Sequence, residues 1–309
     1  MSEYQTIHRA QHHFGWDHSQ PPVARIEPGH ELTFEVMDAS GGQLSRTSTT
    51  ADVGTLDFAR VNPVAGPIHI EGAEPGDALE VEILGFQPST WGWTAIIPGF
   101  GLLADEFTEP FLHISEYDAE RVSFTDTIQL PTRPFTGTIG VTPAEPGTHS
   151  VVPPRRVGGN MDLRDLVRGA TLLLPVEVPG ALFSVGDTHA AQGDGEVCGT
   201  AVETAMSVRV RFGLRKQMGI PRPQVIVPHV PPTFADGAGY HVTTGIGPDL
   251  MAAARDAVRD MIDHLDRAYR LPPELAYCLC SVAVHLRISE IVDVPNWLVS
   301  AYLPRGIFR

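Results

Sequence analysis

Glycine and proline interrupt this chain so often that long helices are the exception. The 309 residues include 30 glycines and 27 prolines. Both residue types break helices and favour turns, so the sequence predicts many short strands. Residues 32–36 fit this expectation, because Leu32, Phe34 and Val36 alternate with polar residues as in a half-buried strand. Residues 206–212 alternate in the same way, and we therefore predict a β-rich body over residues 1–220.

The hydrophobic period changes after residue 248. Apolar residues recur at steps of three and four over Leu250–Tyr269, which is the spacing of an amphipathic helix. A second helix is predicted to begin at Pro273, since proline is tolerated in the first turn, and to end before Pro295. Residues 221–309 should then form a proline-rich connection and a helical hairpin packed on the body. The predicted class is α+β, predominantly β, in one integrated domain.

Charge and cysteine content exclude several functional classes. The formal net charge of −15 disfavours nucleic-acid partners, because phosphate backbones repel such a surface. No stretch reaches the roughly 18 apolar residues of a membrane span, and the polar N-terminus does not resemble a signal peptide. The three cysteines, Cys198, Cys278 and Cys280, are too few and too unevenly spaced for a disulfide framework. We therefore expect a cytoplasmic protein.

The segment 186–199, GDTHAAQGDGEVCG, has the highest density of reactive side chains in the sequence. It follows a strongly apolar run that predicts a buried strand. If the chain is extended here, Asp187 and His189 lie on one face, and Asp194 and Glu196 do the same. Imidazole beside carboxylates is a suitable ligand set for zinc, iron or manganese. A surface turn with a stray histidine, or a structural calcium site at Asp194 and Glu196, remains an alternative.

Other segments carry weaker signals. Gly158-Gly159-Asn160-Met161-Asp162 predicts a tight turn, with Asn160 and Asp162 either on one face or in ordinary turn and cap roles. Trp16, near His13, could form a pocket wall. Lys216 is the only lysine and is expected to be solvated.

Cys198 is a conceivable nucleophile, although its acidic neighbours should raise its pKa. We therefore interpret this side chain as a small buried hydrophobic group.

Several longer motifs resemble the acetamidase/formamidase family. They are HFGWDHSQPP near the start, DASGGQ at 38–43, NPVAGPI at 62–68, WGWTAIIPGFGLL at 91–103, GGNMD at 158–162 and LPVEVPGALFSVGDTHAAQGDGEVCGTAVE at 174–203. The likeness implies a β-sandwich or barrel body peculiar to the family and a homo-oligomer. It also implies a bound divalent metal and hydrolysis of short linear amides to a carboxylate and ammonia. The expected substrate is therefore a small neutral amide.

The resemblance also implies where the site lies. Carried over to this chain, it draws on Asn160, Asp162, Asp187, His189, Gln192, Asp194, Glu196 and Glu203. Within this set we predict Asp162, Asp187 and His189 as metal ligands, with Asp194 and Glu196 as further candidates and zinc as the expected ion. Asp187 and His189 are also predicted as catalytic residues, together with Glu196 or Glu203 as the proton carrier. Asn62, Asn160, Gln192 and Trp16 are predicted to bind substrate.

Two other hypotheses are compatible with the same residues. In the first, Cys198 is an acyl-forming nucleophile, His189 is its base, and the metal is only structural. In the second, the chain is not an enzyme but a solute-binding module stabilised by calcium.

Overall fold

The computed structural model describes residues 5–229, 231–292 and 294–309, and most of the regular structure is β-strand. The first eleven strands are β1 Gln5–Ile7, β2 His12–His13, β3 Gly15–Trp16, β4 Ala24–Ile26, β5 Glu31–Glu35, β6 Val64–Ile70, β7 Ala78–Pro88, β8 Trp91–Ile96, β9 Phe111–Tyr117, β10 Arg121–Thr125 and β11 Ile128–Pro131. The next eleven are β12 Phe135–Gly140, β13 His149–Ser150, β14 Gly158–Asn160, β15 Thr171–Pro175, β16 Phe183–His189, β17 Glu203–Thr204, β18 Met206–Arg215, β19 Gln224–Ile226, β20 Tyr240–Gly247, β21 His285–Glu290 and β22 Trp297–Pro304. The α-helices are α1 Thr50–Val53, α2 Leu250–Tyr269 and α3 Pro273–Ala283.

Two sheets pack face to face to form the body. The first has the strand order β1-β5-β18-β7-β15-β19, and the second, of eleven strands, is built around β8, β17, β16 and β12. Aromatic rings join them: Phe183 of the second sheet lies 5.7 Å from the Phe34 ring and 5.0 Å from the Phe212 ring of the first. The predicted alternation is confirmed, because Leu32 and Phe34 are fully buried. The predicted β-sandwich is therefore correct, and the described strands close no barrel.

The C-terminal helical hairpin is present, but it is shorter than predicted. Helix α2 occupies Leu250–Tyr269 as expected, and Asp249 caps it by accepting a hydrogen bond from the backbone N–H of Ala252 at 2.7 Å. Helix α3 ends at Ala283, not near Pro295, and His285–Glu290 is a strand. The alternation of Leu286 and Ile288 there has a period of two, which a short apolar run can share with a helix pattern.

The hairpin and the body share one hydrophobic cluster. Strands β20, β22 and β21 form a three-stranded sheet against α2, and buried residues of both helices pack with Ile96 and Leu130 of the second large sheet and with Val202 just before β17. Within the described parts of the chain, no helix is both long enough and apolar enough to cross a membrane.

Lys216 is not merely solvated, as the sequence suggested. Its Nζ lies 2.6 Å from Oδ2 of Asp77 and donates to the carbonyl oxygen of Gly72 at 2.8 Å. The Asp77 carboxylate is completely buried and also accepts from the backbone N–H groups of Glu74 and Gln217. The pair therefore fastens the end of β18 to the turn before β7, and its role is structural.

Candidate active site

Strand β16 carries an imidazole and a carboxylate into the middle of the second sheet. The strand is buried along its whole length, with β12 and β6 among its neighbours and β17 at its end. His189 pairs directly with Glu203 of β17. Its Nε2 lies 3.1 Å from Oδ1 of Asp187 and 3.1 Å from Oε2 of Glu203. The alternation along β16 and its pairing with β17 therefore bring two carboxylates to the same nitrogen atom, Nε2 of His189.

Gln192 fixes the tautomer of His189. Its Nε2 donates to the carbonyl oxygen of Asp162 at 2.9 Å, so its Oε1 is the atom that faces Nδ1 of His189, also at 2.9 Å. Because an amide oxygen only accepts, Nδ1 of His189 carries the proton. In the neutral ring the lone pair of Nε2 then points at the two carboxylates. A cation or a bound proton is needed between these groups.

Asp162 and Glu196 complete the cluster from a second side. Ligand atoms of Asp162, His189 and Glu196 lie within 4.8 Å of one another, and those of Asp187, His189 and Glu203 form a second such group. Asp162 Oδ1 and Glu203 Oε2 are buried and have no hydrogen-bond partner among the described residues. Unpartnered buried carboxylate oxygens beside an imidazole are the ligand chemistry of a divalent metal site. These residues fit such an ion.

Crowding of the acids shifts their ionisation. Burial, reinforced by Asp187, raises the pKa of Asp162 to about 6 and the pKa of Glu203 to about 8. Burial and Asp162 raise the pKa of Glu196 well above its ordinary value. Burial lowers the pKa of His189, but the carboxylates of Glu203 and Asp187 outweigh it and hold that pKa well above 6.5. Without a metal, the folded site therefore binds protons more tightly than the unfolded chain does.

The backbone around the cluster is strained. Asn62, Asp162, Asp187 and Glu196 have φ angles of 52°, 47°, 55° and 44°, in the left-handed region that non-glycine residues rarely occupy. Four of the eight described non-glycine residues with positive φ thus line one site. Such strain persists where the surrounding structure enforces it, and it concentrates at functional sites.

Gly137 of β12 provides the space that the cluster occupies. A Cβ atom added there would collide with Oδ1 of Asp162 and would lie 2.7 Å from Oδ2 of Asp187 and 2.9 Å from Cε1 of His189. Real Cβ contacts essentially never fall below 3.0 Å. Glycine at position 137 is therefore a requirement of the site, and nothing in the local sequence signalled it.

A cavity of about 200 Å³ opens onto the acids. One wall is polar: Oδ1 of Asn160 accepts from Nδ2 of Asn62 at 3.1 Å and from Oγ1 of Thr138. The remaining wall is mostly apolar and includes the stacked rings of Phe58 and Phe100, whose centroids lie 5.8 Å apart. The cavity can therefore hold a small molecule with a polar end at the acids and an apolar end toward the rings.

The structure brings together most of the predicted site residues. Those that line this cavity are Asn62, Asn160, Asp162, Asp187, Glu196 and Glu203, and His189 lies directly behind them. Gln192 accepts a hydrogen bond from His189 and lies outside the lining of this cavity.

Two predicted residues lie elsewhere. Asp194 has a half-exposed side chain directed toward Arg164 and His285, which removes it from the ligand set. The indole of Trp16 is buried and packs edge-on against His13, outside the cavity lining.

Cys198 also lies outside the cavity lining. Its thiol is fully buried and contacts the carbonyl oxygens of Ala95 and Thr200 at 3.5 and 3.6 Å. Burial raises its pKa, but hydrogen bonds from Cys278, Ser281 and Thr200 outweigh that and lower the pKa to about 7. The expectation that acidic neighbours raise this pKa was therefore wrong. No imidazole contacts the thiol in the described structure, so the geometry of a nucleophile with its base is missing.

Comparison with known proteins places the chain in a family. Residues 2–151 and 144–309 match the profile described as the Acetamidase/Formamidase family. The chain is 29% identical to a formamidase of Methylophilus methylotrophus over 96% of this chain and 89% of that protein. Among solved structures it is similar to a gamma lactamase from Delftia acidovorans, with a TM-score of 0.90 and 28% identity over 96% and 89% of the two chains. An acetamidase from Bacillus halodurans gives a TM-score of 0.69 and 31% identity over 96% of each chain.

Substitution Gly137→Ala is expected to destabilise the protein by about 1–3 kcal/mol, because the added methyl group forces the cluster apart. Thermal and urea unfolding measure the change. Gly85→Ala in β7 is the matched control, since a Cβ there meets no described atom within 4 Å. Equal stability of the two variants would contradict the close packing over Gly137.

Metal-free protein is expected to lose stability as the pH rises from about 5 to about 8. The folded pKa values of Asp162 and Glu203, about 6 and about 8, exceed the unfolded ones, so their stabilisation is present at low pH and is lost as each carboxyl ionises. The raised pKa of His189 acts in the same direction, because its stabilisation disappears above its folded pKa. The lowered pKa of Asp187 affects only more acidic solutions.

Calorimetric melting temperatures in the presence of a chelator, taken across this range, test the expectation. The Glu203→Gln variant should show a smaller fall than the parent protein. A melting temperature of the parent protein that stays constant or rises with pH would show that the pKa values of these carboxyl groups are not raised in the folded state.

Proposed function

The chain belongs to the acetamidase/formamidase family, and from this premise we propose that it is a metal-dependent hydrolase of small amides. The observation that carries the proposal is the lone pair of His189, held toward Asp187 and Glu203 by the Gln192 hydrogen bond. A divalent cation resolves this unfavourable arrangement better than protons do, because it satisfies the imidazole and the carboxylates at once. Zinc is the ion we expect for such a ligand set.

Asp162, Asp187 and His189 are the residues proposed to hold the ion, with Glu196 or Glu203 beside them. When bound, such an ion polarises a carbonyl group and lowers the pKa of water toward roughly 7. Gln192 keeps the proton of His189 on Nδ1 and so leaves Nε2 available as a ligand. Gly137 lets the carboxylates approach the ring.

The carboxyl groups of Glu196 and Glu203 are the proposed proton carriers. Both line the cavity, and their raised pKa values suit a group that takes a proton from water and delivers it to the departing nitrogen. Asp187, in contrast, has a lowered pKa, because its interaction with His189 outweighs the effect of burial, and it stays ionised as a ligand. Asp187 is therefore proposed as a metal ligand, and Glu196 and Glu203 are proposed to carry the proton.

Asn160 is proposed to bind the substrate carbonyl. Its Oδ1 already accepts from Asn62 and Thr138, so its Nδ2 is the group left to donate to a developing oxyanion. Asn62 orients Asn160 and lines the same wall. A neutral amide can enter beside the acids without electrostatic penalty.

A cyclic amide is a second candidate substrate. The TM-score of 0.90 with the gamma lactamase of Delftia acidovorans and the apolar wall at Phe58 and Phe100 favour it. The cavity of about 200 Å³ has room for roughly six water-sized groups, which is more than formamide needs. In linear and cyclic amides alike the bond broken is the amide C–N bond, and only the shape of the acyl group differs.

Removal of metal is expected to abolish hydrolysis, and zinc is expected to restore it. Ammonia release from formamide and acetamide, and ring opening of γ-butyrolactam, are measured before chelation, after it and after addition of zinc. Faster turnover of the lactam would favour the cyclic substrate. Full activity in protein without detectable metal would refute metal dependence, and inactivity on all three amides at full metal content would refute the substrate class.

Substitution Cys198→Ala is expected to leave hydrolysis within a few-fold of the parent rate, because the thiol lacks a base and lies outside the cavity. Asp187→Asn is expected to reduce kcat/KM at least ~100-fold. Melting temperatures verify that both variants fold. Complete loss of activity in folded Cys198→Ala, with Asp187→Asn active, would favour the nucleophilic cysteine instead.

A further inference from the structure

A second cavity lies on the other side of Gln192 from His189. Its volume is about 490 Å³, within the range typical of ligand pockets. Gln192 borders this cavity with one face while its amide contacts His189 and the backbone of Asp162. The amide hydrolysis proposed above uses none of the other residues of this cavity.

Two sheltered guanidinium groups face the cavity without a full set of partners. The Arg164 side chain is only 16% exposed, and its nearest carboxylate oxygen, Oδ1 of Asp194, lies 3.8 Å from Nε, too far for a hydrogen bond. Its Nη1 contacts the ring nitrogens of His285. Arg133 is bound through Nη2 to Asp165 at 2.6 Å, but its Nε is buried and has no partner among the described residues.

Asp236 and His285, two other titratable groups of the cavity, do not provide Arg164 with a hydrogen-bonded carboxylate. Asp236 is engaged by the Thr233 backbone and hydroxyl and by the Tyr240 hydroxyl, so its oxygens are directed at those groups. Burial and the positive charge of Arg164 lower the pKa of His285 to about 3, so this ring is neutral and accepts from Arg164. Arg164 is therefore a sheltered guanidinium without a hydrogen-bonded anion, which is costly and which an incoming anion would correct.

We propose that this cavity binds an organic carboxylate, with its charged end on Arg164 and within the positive field of Arg133. A planar carboxylate matches the fork of a guanidinium and forms charge-assisted hydrogen bonds. The opposite wall is apolar, with Val227, Pro228 and Ile307, and suits the hydrocarbon part of the ligand. Since Asp165 and Asp236 stand nearby, a monoanion fits better than a phosphate dianion.

Calorimetric titration of the full, metal-loaded chain with benzoate tests this site, with acetate and phosphate as comparison ligands. Saturable binding of benzoate is expected, with weaker binding of acetate, which lacks the apolar part, and of phosphate. Arg164→Gln and Arg133→Gln should each weaken benzoate binding at least tenfold. Arg168→Gln, which removes an exposed arginine not lining the cavity, is the matched control and should change nothing.

Two further variants separate a loss of benzoate binding from misfolding and from failure of the catalytic proposal. Asp194→Asn removes the carboxylate that competes for Arg164, and it should tighten benzoate binding. Asp187→Asn disables the proposed catalytic cluster and should leave benzoate binding intact. Absence of saturable binding in the parent protein, tighter binding of phosphate than of benzoate, or unchanged affinity in Arg164→Gln would overturn the proposal, whatever the amide hydrolysis assays show.

Discussion

The structure depends on keeping four carboxyl groups around one imidazole inside a β-sheet. Asp162, Asp187, Glu196 and Glu203 converge on His189; Asp187, Glu203 and the imidazole are buried, and Asp162 and Glu196 are partly buried beside the cavity. In such surroundings an uncompensated carboxylate costs several kcal/mol, and like charges add to that cost. The rest of the body must supply enough stability to hold the cluster, and the two face-to-face sheets with their shared aromatic core provide it.

Geometry around the cluster follows from this constraint. The pairing of β16 with β17 aligns His189 with Glu203, while β12 runs alongside with a glycine at position 137, where a Cβ atom would collide with the cluster. Three of the four acids adopt positive φ angles to turn their carboxyl groups inward. Backbone strain, glycine placement and the Gln192 bridge are therefore parts of one arrangement, and each would be unfavourable without the others.

Much of this could be predicted from residues close together in sequence. The apolar run before Gly186 predicted a buried strand, and Asp187 and His189 lie at its end as the period of two requires. Contacts made by distant segments gave no local signal, so Gly137 and Thr138 were missed, and Asp194, a further ligand candidate, lies apart from both groups of ligand atoms. The short run after Ala283 was interpreted as helix because its apolar residues satisfy both periods, and pairing with β22 decides for a strand. The cytoplasmic location, the homo-oligomer and the identity of the metal stay predictions.

The distribution of charge also bears on which molecules can approach the site. Acids surround the polar end of the small cavity, and the chain as a whole carries a net charge of −15. A neutral amide meets no long-range electrostatic barrier there, and the same acids are the groups that would hold a cation. Arginines occur instead on the far side of Gln192, in the larger cavity. That larger cavity is lined by Arg133 and Arg164 together with Asp165 and Asp236, so its charged groups balance in number, whereas the charged residues that line the smaller cavity are all acids.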